Sequence, residues 1–232
     1  MEKICCIISA GDVNTKLLKK MKSKYNFFIA ADLGYKKATE AGINPPLVVG
    51  DFDSLGQYSS IPPADVHCPS PVSFSSKPAA ALISATTEFI QFPPEKDYSD
   101  THLAIEEGIK LGYTRFEVYG ALGGDRFSHS LANLQMLCFM KSKDINVTLV
   151  GTKEIVYLLN QETLTLTPPV HSTFSVFAMS DNCTGVTING AKYPLENATL
   201  TNTFPLGVSN LSTNETVNIS VKEGFLLVIQ EF

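Results

Sequence analysis

The chain has 232 residues, enough for one large domain or two ordinary ones, and either arrangement can bury a sizeable core. A hydrophobic fraction of 44% and a charged fraction of 18% belong to a globular protein rather than a disordered one. The net charge of -5 argues against a general nucleic-acid or membrane-surface binder, because those partners are polyanions; a polyphosphate ligand would have to bring its own metal.

No run of about eighteen apolar residues is present, so no membrane span is expected. The opening apolar run, Ile4 to Ile8, is too short for a signal peptide and reads as the first strand. Five cysteines, Cys5, Cys6, Cys68, Cys138 and Cys183, show neither CxxC spacing nor a nearby histidine cluster. They are expected to be core thiols, with the protein in a reducing cytoplasm.

In chain order, a strand over residues 3–9 leads to Asp12, and a basic helix over 13–22 carries Val13, Leu17, Leu18 and Met21 on one face. A second strand over 26–30 runs into Ala31-Asp32, followed by a helix over 33–41 that stops at Gly42. The third strand, 47–49, runs into Gly50-Asp51-Phe52-Asp53-Ser54. Three successive strands thus end in an aspartate, and in a βαβ array such ends line one edge, where ligands bind. If the third strand continues, Asp51 and Asp53 share a face and Phe52 turns into the core. Two carboxylates about 4 Å apart repel by roughly 4 kcal/mol at a surface-like dielectric, a cost that Mg2+ converts into attraction. The plain alternative is a solvated turn.

Residues 57–87, rich in Ser, Pro and Ala, break the pattern and read as a flexible insertion with a helical turn or two over 79–85. A strand over 88–92 follows. Ser99 or Asp97 can then cap a helix over 100–111, and the three-residue spacing of Asp97 and Asp100 lets both look at one point near its positive end. A strand over 115–119 opens into a glycine turn containing Gly123, Gly124 and Arg126, where the backbone can approach a ligand closely and the guanidinium offers a planar fork for phosphate or carboxylate oxygens. The helix after it, from about 126 to 141, is expected to bury Leu131, Leu134, Leu137 and Cys138. Glycine turns between strand and helix are common connectors, and aspartate is a common cap, so each motif also has an ordinary structural reading.

Beyond residue 151 the chain becomes short β-rich runs, over 155–159, 163–167, 173–179, 185–188, 217–221 and 225–229. That spacing argues for an antiparallel sandwich or barrel. The expected fold is therefore α/β, an N-terminal parallel-sheet α/β domain over 1–151 followed by an all-β antiparallel sandwich domain over 152–232. Tyr193 reads by itself as a strand aromatic and Ser209-Asn210 as a turn.

With these motifs in view the sequence resembles the thiamine pyrophosphokinase (thiamine diphosphokinase) family. The resemblance rests on Gly50-Asp51-Phe52-Asp53-Ser54, on Pro94-Glu95-Lys96-Asp97-Tyr98-Ser99-Asp100, on the glycine turn through Arg126 to His129 and Ala132-Asn133, and on Gly190-Ala191-Lys192-Tyr193-Pro194-Leu195 with Ser209-Asn210. The chain departs from the family pattern at Leu33, Asp125 and Ser128 and by the length of the 57–87 insertion. The resemblance implies that the first of the two domains binds nucleotide, and that the chain is a kinase that moves the diphosphoryl group of ATP to the hydroxyl of thiamine, releasing AMP. It implies Mg2+ held by Asp51, Asp53, Asp97 and Asp100, with the same aspartates as catalytic residues. It further implies ATP contacts from Asp32, Gly50, Ser54, Lys96, Gly123, Gly124, Arg126 and His129, and thiamine contacts from Tyr193, Ser209 and Asn210. A homodimer with its active site at the subunit interface is also implied, with neither nucleic acid nor membrane as partner. Two other readings stay open from the residues: an Asp-x-Asp phosphohydrolase with an aspartyl-phosphate intermediate, and a non-catalytic thiamine or nucleotide sensor.

Overall fold

Apolar β-formers alternate with short helical runs in the first part of the chain, and the backbone follows them. The computed structural model describes residues 3–52, 66–67, 87–214 and 216–232. Two compact units emerge, Met1–Met136 with Val150–Thr152, and Leu137–Leu149 with Lys153–Phe232.

In the first unit, strands β1 (Cys5–Ile8), β2 (Phe27–Ala31), β3 (Leu47–Gly50), β4 (Val66–His67), β5 (Glu88–Gln91) and β6 (Arg115–Tyr119) lie in the order β4-β5-β3-β2-β1-β6. Every pairing is parallel. Every residue of β1 and β3 is buried, which is why these strands read as unbroken apolar runs rather than as alternation. The connections include helices α1 (Thr15–Met21), α2 (Gly34–Glu40) and α3 (Asp100–Lys110). Asn14 caps α1 by accepting from the Leu17 N–H at 3.0 Å, and Ser99 caps α3 by accepting from the His102 N–H at 3.2 Å. A buried hydrogen bond of 2.9 Å between the hydroxyls of Ser9 and Thr101 ties the end of β1 to the start of α3. The expected helical turn over 79–85 lies outside the described residues.

Helix α4 (Phe127–Lys141) corrects one expectation. Its buried side chains are Asn133, Met136, Leu137 and Met140, whereas Leu131 is 46% exposed and Leu134 and Cys138 are half-buried. Leu131 lies two residues, or about 200° around the helix, from Asn133, so it points the opposite way. Asn133 takes the inner face because its amide donates to the Ala121 carbonyl at 2.8 Å, satisfying the buried polar group.

The second unit contains all but the last residue of β7 (Asn146–Val150), together with β8 (Glu154–Leu159), β9 (Thr163–Leu166), β10 (Thr173–Ala178), β11 (Asn182–Asn189), β12 (Leu195–Thr201), β13 (Gly207–Leu211), β14 (Val217–Ser220) and β15 (Leu226–Glu231). Two antiparallel sets, β13-β10-β15-β8 and β12-β11-β14-β9, supply opposite sides of one core. Phe174, Val176, Leu226 and Val228 from the first set pack with Val186, Ile188, Val217 and Ile219 from the second. The expected fold class, parallel α/β followed by an antiparallel sandwich, is what the structure shows. Strands β12 and β13 were not expected: most of their residues are exposed or only half-buried, so neither carries the alternation that marks a half-buried strand.

Candidate functional site

The parallel register Ile29↔Leu47 and the pairing of β1 with β2 bring the carboxyl ends of β1, β2 and β3 to one edge, with Asp12, Asp32 and Asp51 just beyond them. Asp32 is 9% exposed and has a left-handed backbone, φ 46°, a conformation that Asp tolerates better than most residues. Its N–H donates to the Val49 carbonyl at 2.8 Å. Gly50 faces it closely, since a Cβ there would stand 3.2 Å from both Cα and Cβ of Asp32. Gly50 therefore has a packing reason to be glycine.

Beyond Gly50 the chain leaves the sheet, and the same-face geometry expected for Asp51 and Asp53 loses its basis. Phe52 has φ 62°, an uncommon conformation for a bulky residue, and this breaks the strand alternation. Phe52 nevertheless turns toward the core as expected, its ring edge-on to Phe89 at 5.8 Å. Asp53 and Ser54 lie outside the described residues.

Asp51 meets Lys96. The ammonium is 3.1 Å from Asp51 Oδ2 and 3.0 Å from Asp100 Oδ1, so one cation bridges a strand end and the first turn of α3. Burial acts to lower the pKa of Lys96, but its hydrogen bonds and charge interactions with Asp100 and Asp51 outweigh this and leave it raised. Asp100 also faces the positive end of α3. Asp97 behaves differently: it is exposed and precedes the Ser99 cap, so it does not share the first turn with Asp100 as expected. Among the described residues no group of three or more His, Cys, Asp or Glu side chains converges on one point. Asp51 and Asp100 do converge, and the charge between them is positive.

The glycine turn sits at the end of β6. Gly123 and Gly124 have φ 75° and 80°, the region glycine enters without a Cβ penalty. The Gly124 N–H donates to Asp12 Oδ2 at 3.0 Å and the Gly123 N–H to Ser130 Oγ at 3.1 Å. A carboxylate oxygen thus already stands on a donor expected to face phosphate. Asp12 was legible as a strand end but not as a partner of this turn, because the contact spans 112 residues. Arg126 and His129 are exposed, with the His129 N–H donating to the Arg126 carbonyl at 3.0 Å.

In the second unit, Tyr193 is 57% exposed and Asn210 only 5%. Asn210 grips Tyr193 through its backbone: Oδ1 accepts the Tyr193 N–H at 3.0 Å and Nδ2 donates to the Tyr193 carbonyl at 2.8 Å. The same Oδ1 accepts the Leu211 N–H at 2.9 Å. Lys192 places its ammonium 5.3 Å from the centre of the Tyr193 ring. Ser209 is exposed with φ 58°, and its N–H donates to Ser175 Oγ at 3.0 Å. Sequence reasoning named Tyr193 and Asn210 separately and missed that one positions the other.

Two family models match this chain. Residues 18–149 match the catalytic domain of thiamin pyrophosphokinase, and residues 161–226 match its vitamin B1 binding domain. The chain belongs to the thiamin pyrophosphokinase family. The family expected from the motifs is thereby established, and with it the enzyme class. The thiamine pyrophosphokinase of Bacillus subtilis is 23% identical over 208 residues, covering 89% of this chain and 88% of that one. Solved structures agree on the fold. The Bacillus subtilis enzyme superposes with a TM-score of 0.76 at 21% identity, covering 99% of both chains. The thiamin pyrophosphokinase of Geobacillus thermodenitrificans gives 0.73 at 23%, covering 99% of this chain and 97% of that one. That of Candida albicans gives 0.72 at 15%, covering 100% and 90%. Among the described residues of this family member, no helix is long and apolar enough to cross a membrane.

Proposed function

We propose that the chain is a Mg2+-dependent thiamine diphosphokinase that transfers the diphosphoryl group of ATP to the primary hydroxyl of thiamine, giving thiamine diphosphate and AMP. The observation that carries this reading is the pair Asp51 and Asp100, brought to one cation at the carboxyl edge of a parallel sheet in a thiamin pyrophosphokinase family member. A charge that both carboxylates already accept stands in for a metal ion, so the donor set fits a hard divalent cation. Asp51, Asp53, Asp97 and Asp100 would hold Mg2+, which when bound neutralises polyphosphate charge. Residues 1–151 bear the nucleotide groups: Asp32 and Gly50 at strand ends, Lys96 in the segment before α3, Gly123, Gly124, Arg126 and His129 at or just after the glycine turn, and Ser54 from the motif that follows Gly50 in the sequence. Residues 152–232 bear the thiamine groups, with the exposed Tyr193 ring suited to a cationic heterocycle and Ser209 and Asn210 beside it.

In the transfer, the thiamine oxygen bonds to the β-phosphorus, the bond from that phosphorus to the oxygen bridging to the α-phosphate breaks, and AMP leaves with the bridging oxygen. An aspartate of the cluster takes the hydroxyl proton. Such reactions need alignment and charge neutralisation more than covalent help from protein, which agrees with a site built from carboxylates, an ammonium and backbone N–H groups. The proposal extends to a cytoplasmic homodimer. The exposed side chains Phe204, Leu206 and Val208 support self-association, and thiols held buried at Cys5, Cys6 and Cys183 suit a reducing compartment.

The test is to incubate the purified chain with ATP, Mg2+ and thiamine and to quantify AMP and thiamine diphosphate. Equal amounts of both are expected. Saturable thiamine binding with no AMP would point to a sensor instead, and phosphate release independent of thiamine to a hydrolase.

A further inference from the structure

Lys96 reaches from the segment before α3 to the end of β3, and its side chain is only 13% exposed where it bridges Asp51 and Asp100. Two carboxylates and one ammonium leave the cluster with a single net negative charge. A divalent ion entering beside the ammonium meets a like charge at close range in a partly desolvated place, where such repulsion is weakly screened. Without the ammonium, the same carboxylates present two negative charges to the ion. A lysine can leave such a position: its charge rides on a flexible four-carbon stem with three rotatable donors, and phosphate oxygens accept those donors as well as carboxylates do.

We propose that Lys96 is an internal counter-ion that holds Asp51 and Asp100 together in the resting protein and withholds them from free Mg2+, so that the ion binds tightly only with a polyphosphate, to whose oxygens the ammonium transfers. This rests on the diphosphokinase reading and adds an order to it. Metal and nucleotide are captured as one unit, and by linkage each tightens the other.

The experiment is titration calorimetry of the full chain with Mg2+ alone, and with Mg2+ in the presence of α,β-methylene-ATP, which blocks the bond that the reaction breaks. Wild type, Lys96→Met and Lys96→Arg are compared. Lys96→Met is expected to bind Mg2+ alone about tenfold more tightly than wild type, with the enhancement due to the analogue reduced by a similar factor. Lys96→Arg, which keeps the positive charge, is expected to stay near wild type. Lys96→Met is also expected to melt at a lower temperature without Mg2+ and to recover when the ion is added. Lys96→Gln replaces the methionine variant should that fail to fold by circular dichroism. Equal affinity of wild type and the neutral variants for Mg2+ alone overturns the inference. That result in a protein that makes thiamine diphosphate leaves the reaction standing. The tenfold change in a protein that makes none supports the role of Lys96 and overturns the reaction.

Discussion

The strand-end cluster and the Tyr193 corner solve the same problem with different chemistry. At Asp51, Lys96 and Asp100, full charges at 3.0 and 3.1 Å hold side chains that are themselves the expected contacts for an ionic ligand. At Tyr193, a neutral amide buried to 5% exposure holds a backbone, and the ring it presents is the expected contact for a flat cation. Charges can be exchanged for other charges when a ligand arrives, so the first arrangement is suited to being remade during turnover. Asn210 has no such exchange open to it without stranding three backbone groups, the N–H and carbonyl of Tyr193 and the N–H of Leu211, so the second arrangement is suited to staying put.

The contrast is broken most severely at the charged cluster. Asp100→Asn and Asp97→Asn are each expected to lower kcat by about a hundredfold or more, since each removes a charge from the set proposed to hold Mg2+. Asp97→Asn should leave the melting temperature within experimental scatter because Asp97 is exposed. Steady-state kinetics with thermal unfolding on the same samples checks both, and unchanged turnover in Asp97→Asn would remove that residue from the site.

At the neutral corner the effect should be smaller and of another kind. Asn210→Ala is expected to cost about 1–3 kcal/mol of stability by leaving the N–H groups of Tyr193 and Leu211 without their acceptor. It should raise the KM for thiamine about tenfold while leaving the KM for ATP near wild type. A double-mutant cycle with Tyr193→Ala sharpens this: if Asn210 acts through Tyr193, the two effects on thiamine KM are markedly non-additive.

The smallest effect concerns pH. Burial, with Glu117 beside it, raises the Tyr25 phenol pKa above 10.0; its hydroxyl contacts Glu117 at 2.6 Å and the Tyr119 hydroxyl at 2.7 Å. Because the folded value lies above the unfolded one, this contribution is complete below pH 10 and declines as pH rises beyond it, where the unfolded chain releases a proton that the folded chain keeps. Tyr25→Phe should flatten the fall in urea midpoint above pH 10, whereas Asn210→Ala, which removes no titrating group, should leave that slope as in wild type.

Much of the fold was legible because the deciding patterns are local. The apolar runs of β1 and β3, the Ser99 cap and the strand-then-aspartate repeat each lie within a few residues, and the structure agrees with them. What was not legible depends on partners far along the chain. The Gly124 N–H finds Asp12, and the two Asn210 bonds to Tyr193 span 17 residues. Strand β13 escaped notice because only Asn210 of its five residues is buried, and that residue is polar. Leu131 misled because a leucine in a helix is read as core, while the asparagine two residues later had the Ala121 carbonyl to satisfy it. At Phe52, a single left-handed residue ended an alternation that composition alone would have continued.

The close approach of Gly50 to Asp32 bears on how mutational tolerance should be interpreted in this chain. A library selected for growth would favour glycine at position 50 even if nucleotide never came near it, because any side chain there must push the backbone of Asp32. Intolerance at Gly50 is therefore a record of neighbourly crowding, and only positions with room for a larger residue, such as exposed Arg126, can report ligand contact by refusing substitution.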